Sequence, residues 1–547
     1  MPTTVVLAAR RIHTMDPARP IATHVAIRDG RILGVGTLDS LRGWGPFELD
    51  DRHADRVLLP GFVEGHSHTA EGSYWRHVYC GFLDRTDPEG RIWPGASTVE
   101  AVLERLRVAQ QALPDSQSPL FGWGLDPIYF GGARLTRHEL DRVSTDRPIG
   151  IIHASGHITL ANTAALRAAG LLRTDHDHPG IPLGPDRLPV GELRGPDAMM
   201  PVLLALGVDR GLFSADATGL KAFARLAVRS GTTTATDLAA VLSDEALAAL
   251  QAVTDAPDFP LRLVPAMHAR GDRPEAVIER AVRLKARSSE RLRLGRVKVH
   301  ADGSIQGFTA RLRWPGYYNG APKGLWYVEP ETLQSLYRLG LQQGIQIHTH
   351  ANGDEAIDLV IATLTAALRE QPGADHRFMV QHAQLASHDQ LRQLKALGLG
   401  VNFFANHHYY WGDAHHGLTL GPDRAERMNP CRSALDLGLL MSIHSDAPVT
   451  PLGPLHVAWC AVNRLTASGR LLGAHERISV HEALEAVTLG AARSLHLDRE
   501  IGTIECGKRA DFAVLEDDPF ELPPASLRQT RVWGTVLGGR MQAAQTT

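Results

Sequence analysis

Cysteine is scarce in this chain. Its 547 residues include only four, Cys80, Cys431, Cys460 and Cys506, far apart and without a Cys-X-X-Cys pair. That spacing argues against a disulfide framework or a thiolate zinc site and fits a reducing compartment. Long apolar runs are missing as well. No stretch reaches the roughly 20 residues that span a bilayer, and Val5-Val6-Leu7-Ala8-Ala9 is broken by Arg10-Arg11 before it resembles a signal-peptide core. The expected location is the cytoplasm, with no membrane partner. There is no basic excess: 57 Lys and Arg against 60 Asp and Glu give a formal charge of −3, which gives no support to a nucleic-acid partner. Hydrophobic residues at 44% and charged residues at 21% are ordinary for a globular protein, here one long enough for more than one domain.

Histidine, by contrast, is plentiful, with 27 residues. The stretch Pro60-Gly61-Phe62-Val63-Glu64-Gly65-His66-Ser67-His68 runs from an apolar segment into two histidines one residue apart. In an extended strand, residues i and i+2 share a face, so His66 and His68 can present two imidazoles to one point, as a metal requires.

Both ends of the chain read as short strands: 5–7, 24–27 and 32–35 around an Asp29-Gly30 turn, then 507–515 and 532–537. Residues 1–60 and 496–547 are therefore expected to assemble into one small β domain. Between 61 and 495, helical periodicity at 218–230, 272–287, 329–343, 354–370, 387–397 and 429–437 alternates with strands at 231–237, 295–300, 345–350, 378–382, 400–403 and 439–446. Repeated helix-then-strand units predict a parallel sheet closed into a (β/α) barrel. Residues 75–215, rich in Gly and Pro with a helix at 97–113, are read as an insertion covering the barrel mouth.

The apolar runs end on polar residues of one kind. They stop at His66 and His68, at Lys298 and His300, at His348 and His350, at His382, and at His444 and Asp446. Strand C-termini converge on the catalytic face of such a barrel, so these endings point to a metal centre.

The set resembles the amidohydrolase superfamily, and within it the subgroup of N-substituted formamide deformylase-like metal-dependent hydrolases. The resemblance runs nearly end to end. It rests on the stretch from Pro60 to His68, on His153-Ala154-Ser155-Gly156-His157, Val297-Lys298-Val299-His300-Ala301-Asp302-Gly303-Ser304, His350-Ala351-Asn352-Gly353-Asp354, Gln381-His382-Ala383-Gln384 and His444-Ser445-Asp446-Ala447-Pro448. It implies a distorted (β/α)8 TIM barrel with a small β-sandwich built from both chain ends, and a homodimer. It also implies His66 and His68 on one metal, His350 and His382 as further ligands, and Asp446 as ligand and proton acceptor. Lys298 matches the position where lysine can be carboxylated to bridge two ions. The expected cofactor is a divalent metal, Zn2+ by its donors, as one ion or two. Glu64 departs from the pattern, since many relatives carry Asp there.

The chemistry this implies is hydrolysis of an amide-type C–N bond in a small molecule, with Asp446 moving the proton. A deaminase or a cyclic-amide hydrolase would use the same centre, and a non-catalytic regulator is the alternative of another class. Four residues are candidates for substrate contact: His157 in a Ser-Gly-His turn, Gln306 after the Lys298 strand, Trp123, and His407. Trp314 is weighed with Trp123 as a pocket or core residue. His407 lies in Asn406-His407-His408-Tyr409-Tyr410-Trp411-Gly412-Asp413-Ala414-His415-His416, read as a loop at the mouth that either contacts substrate or is merely exposed. Glu192 reads as a solvated acid of the insertion.

Overall fold

Eight short strands run parallel in sequence order: β1 (Phe62–Glu64), β2 (Thr232–Ala240), β3 (Arg262–His268), β4 (Arg296–His300), β5 (Gln346–Ala351), β6 (Met379–His382), β7 (Gly400–Phe403) and β8 (Met441–Ile443). They were located in a computed structural model that describes residues 3–115, 117–130, 135–208, 216–269 and 271–544. The strands are buried along almost their whole length, which is why they read as apolar runs rather than as alternating patterns. Helices cover the outside. The helix Asp354–Glu370 turns Ala356, Ile357, Val360, Ile361, Leu364 and Ala367 inward, with Asp354 and Glu355 in its first turn and Arg369 in its last. Those end charges complement the helix dipole. Gly353 before it admits no side chain, because a Cβ there would lie 1.8 Å from the Arg311 carbonyl oxygen.

The first and last strands meet. Asp446 N donates to His66 O at 3.0 Å. The Glu64 carboxylate stitches the same seam, accepting from His66 N (3.2 Å), Ser445 N (3.1 Å) and Ser445 Oγ (2.8 Å). Burial pushes the Glu64 carboxyl up to about 8, against the hydrogen bonds from Ser445. The extra methylene relative to Asp lets the carboxyl end of β1 reach the segment after β8.

Strands from both chain ends share one eight-stranded sheet: Thr4–His13, Ile21–Arg28, Arg31–Gly36, Phe47–Asp50 and Val57–Pro60 with Phe512–Leu515, Val532–Leu537 and Arg540–Ala543. Asp29 and Gly30 both take positive φ, 51° and 71°, the backbone that a two-residue hairpin requires. Ile12, Val25, Phe512 and Val514 are among its buried residues. Arg262 of β3 ties this sheet to the parallel one, donating from Nη1 to Asp511 Oδ2 (2.6 Å) and to Thr234 Oγ1 (3.0 Å).

Residues 69–223 with 447–451 form a second compact unit. Its sheet pairs Val78–Tyr79, Leu120–Leu125 and Ile149–His153 in parallel, then Ile158–Ala161 and Glu192–Arg194 antiparallel. Trp123 lies in its core, 1% exposed and ringed by Tyr74, Trp75 and Tyr79 at 4.9–5.5 Å. Among the described residues, no helix is long and apolar enough to cross a membrane.

Strand β3 and the helix Asp244–Asp255 before it were not expected from the sequence. Pro265 interrupts the β3 run, and the strand tolerates it inside a barrel segment of Val and Leu. The histidine-rich stretch also differs from expectation. It is a helix (His407–Ala414) running into a π turn (His415–Thr419), with His407, His408, Trp411 and His415 all buried.

Replacing Glu64 by Ala removes three hydrogen bonds at the seam and is expected to cost about 2–4 kcal/mol. Glu64→Gln, which keeps an acceptor for both N–H groups, should stay within about 1 kcal/mol of wild type in denaturant titration. Equal losses in the two variants would show that volume, not hydrogen bonding, holds the seam.

Candidate metal centre

The carboxyl ends of β1, β4, β6 and β8 bring His66, His68, Lys298, His382, His444 and Asp446 together. His66 Nε2 and His68 Nε2 each lie 3.3 Å from Asp446 Oδ1. Lys298 Nζ is 3.2 Å from His66 Nε2, and His382 Nδ1 is 3.8 Å from Asp446 Oδ2. His444 stacks on His66 at 4.7 Å and faces His382 at 5.0 Å. Two donors about 2.1 Å from one tetrahedral ion lie about 3.4 Å apart, so the spacing around Asp446 Oδ1 suits a shared cation.

Hydrogen bonding sets the tautomers for that role. His66 Nδ1 lies 2.8 Å from Gln381 Oε1, an oxygen that can only accept, so the proton is on Nδ1 and the lone pair on Nε2. Gln381 is itself oriented by Asn402, which donates to the same oxygen at 2.9 Å, and Asn402 is oriented by Ser442 at 2.9 Å. Strand register makes this chain possible, since Gln381, Asn402 and Ser442 are direct partners across β6, β7 and β8. By contrast, His382 Nδ1 and both ring nitrogens of His444 are buried without a hydrogen-bond partner among the described residues. Buried, unpartnered imidazole nitrogens beside a carboxylate are what a metal would satisfy. The residues fit a divalent cation.

Burial governs the charges. It pushes His66 and His382 well below the usual imidazole range and His444 to about 3, with Lys298 lowering all three further. Lys298, wholly buried, is pushed down to about 7 against the pull of Asp446. Asp446 is raised by burial, but the hydrogen bond and charge of His68, with His444 and Lys298, bring it below the usual carboxylate range. Backbone strain gathers here too, since His382 and Asp446 sit at φ of 73° and 55°. Left-handed backbone in non-glycine residues costs on the order of 1–3 kcal/mol each and marks places where function dictates conformation.

His350 lies beside the cluster, its ring 4.4 Å from that of His382. Its Nε2 is 3.1 Å from both Gly303 O and Asn352 Nδ2. Asp302 does not pair with Lys298; it accepts from Arg311 N, Asn352 N and Gly353 N, each at 2.9 Å. Gln306 and His407 bond to one another at 3.2 Å. Trp123 and His157 belong to the second unit, where Trp123 is core and Gly195 N donates to His157 O at 2.9 Å. Two expectations are corrected. Glu192 is not solvated: it is 3% exposed and binds Arg194 Nε at 2.6 Å. Trp314 lines nothing, being 90% exposed. His444 was legible as a strand ending two residues before Asp446, but it was not among the residues expected to hold metal.

A family model described as the amidohydrolase family matches residues 54–542. A curated relative, Protein LONG AFTER FAR-RED 3 of Arabidopsis thaliana, is 28% identical over 93% of this chain and 86% of its own length. The N-substituted formamide deformylase of Arthrobacter pascens is 25% identical over 98% and 97% respectively. Among solved structures, an uncharacterized metal-dependent hydrolase from Pyrococcus horikoshii superposes with a TM-score of 0.72 at 19% identity, covering 95% of this chain and 99% of its own. The chain belongs to the amidohydrolase family. It is an enzyme, a hydrolase acting on carbon–nitrogen bonds.

Because the folded-state pKa values of these histidines are depressed, the unfolded chain takes up protons first as pH falls. The stability they contribute is full above about 6.5 and is lost progressively towards the folded value of about 3 for His444. The melting temperature of chelator-treated protein should therefore drop between pH 6.5 and 4, less steeply in His444→Asn. A flat profile across that window in the wild type would contradict it.

Proposed function

We propose that this enzyme hydrolyses an N-substituted amide, in the simplest case a formamide, using a divalent metal, Zn2+ by donor type. His66, His68, His350, His382, Lys298 and Asp446 would hold it, with His444 packed against them. The observation that carries the reading is the convergence of His66 Nε2, His68 Nε2 and Asp446 Oδ1 at 3.3 Å beside unpartnered imidazole nitrogens. When bound, such an ion lowers the pKa of water towards 7 and polarises a carbonyl. The formamide class is supported by the similarity to the N-substituted formamide deformylase of Arthrobacter pascens.

Each protein group then has a task. Asp446 accepts the proton of the attacking water and returns it to the leaving nitrogen, so that the amide C–N bond breaks to give an amine and a carboxylic acid. Its depressed pKa keeps it ionised and ready to accept at neutral pH. Gln381 holds the His66 ring so that Nε2 faces the centre. Lys298, with a pKa near 7, carries a substantial fraction of free amine. That amine could add to carbon dioxide, forming an N–C bond and losing a proton, and the resulting carbamate would supply anionic oxygens to bound metal.

Metal analysis of purified protein, combined with hydrolysis of an amide panel, tests the reading. Amine and carboxylate should be released in equal amounts without ammonia, chelation should abolish turnover, and Asp446→Asn should lower kcat by about 10³. Undiminished activity in Asp446→Asn would end the proposal. For Lys298→Ala, bound metal per chain should fall, and short carboxylic acids should restore part of the rate; metal content and activity unaffected by the substitution would exclude the carbamate.

A further inference from the structure

Both ring nitrogens of His407 are already engaged. Nε2 lies 3.2 Å from Gln306 Oε1, and Nδ1 lies 3.0 Å from His415 Nε2, the two ring planes parallel to within 3°. His415 Nδ1 in turn lies 2.7 Å from Thr419 Oγ1. The four residues are 6% exposed or less. The π turn at His415–Thr419 brings the Thr419 hydroxyl to the His415 Nδ1 edge, and such turns gather at functional sites.

One polarity satisfies every atom of the chain. Gln306 Oε1 can only accept, so His407 donates from Nε2 and accepts at Nδ1. His415 therefore donates from Nε2 and accepts at Nδ1, where the Thr419 hydroxyl donates. Both rings must be neutral for this, and burial pushes His407 well below the usual range and His415 to about 3. The outcome is at the other end. With Oε1 held, the Gln306 –NH2 is left without an acceptor among the described residues. The relay is one ring from the metal centre: Phe404 lies 4.9 Å from His407 and 4.9 Å from His444.

We propose that Gln306 reads the substrate as a hydrogen-bond donor, locked in that orientation by the Thr419–His415–His407 relay, so that the enzyme selects amides carrying an acceptor oxygen near the scissile bond. His407, His415 and Thr419 are positioning residues that act through Gln306. The inference rests on the amide-hydrolase reading for its substrate class.

The test uses matched probes: N-formyl derivatives of glycine, β-alanine and 4-aminobutyrate against N-alkylformamides of the same carbon count. Calorimetric binding and hydrolysis are followed in parallel on the metal-loaded enzyme. Wild type should favour at least one carboxylate probe about tenfold or more, the scale of a single hydrogen bond to a charged acceptor. Gln306→Leu should abolish that preference in binding. Gln306→Glu, which keeps the contact to His407 but presents an acceptor, should reverse it. Thr419→Val should weaken the preference and Thr419→Ser restore it, with KM moving more than kcat. Equal binding of each matched pair by the wild type, or a preference unchanged in Gln306→Leu, overturns the inference. Discrimination in binding without hydrolysis of any probe upholds it and overturns the amide-hydrolase reading instead.

Discussion

Desolvation of clustered bases is the constraint on which this structure turns. Three buried imidazoles, His66, His382 and His444, and the buried Lys298 share a space with Asp446 and the half-buried His68. Were they charged, their mutual repulsion in a low dielectric would cost far more than a folded chain can supply. They persist because burial removes the protons and the surrounding amides decide where the remaining ones sit. A neutral imidazole with its lone pair fixed inward is already a metal ligand, so the same physics that makes the cluster tolerable makes it functional.

Positioning follows from strand geometry. The seam between β1 and β8 sets His66 and Asp446 opposite one another, and the register of β6, β7 and β8 lines up the side chains that orient His66. The strained backbone at His382 and Asp446 shows that the surrounding packing outweighs local preference there. The ends of the rigid strands carry the histidine, lysine and aspartate cluster, while the loop after β4 and the helix after β7 carry Gln306 and His407.

Much of this was legible in the sequence, and the legible part has a common cause. Period-two spacing put His66 with His68 and Lys298 with His300, and apolar runs buried on both faces announced all the parallel strands but β3. Helix boundaries were good where the ends carried charge or glycine, as at Asp354–Glu370. What was hidden depends on tertiary context. Pro265 masked β3, because proline in a run argues against a strand unless neighbours absorb the lost N–H. The stretch from His407 to Thr419 lacks caps and apolar periodicity, so its helix is imposed by burial. The Gln381–Asn402–Ser442 chain and the contact of Gln306 with His407 join residues far apart in sequence, and no local pattern reports them.

The seam carries a temporal consequence. Glu64 and Ser445 are separated by 381 residues, and the hydrogen bonds that join the segment after β8 to the end of β1 cannot form until both are present. At ribosomal speeds of about 5–20 residues per second, the first strand waits roughly 20–75 s for its neighbour. During that interval His66 and His68 have no Asp446 to face, and the edge of β1 is exposed to other chains. A stray cation captured by the two histidines would not yet be held by the full site. The cluster around Asp446 Oδ1 is therefore complete only in the finished chain.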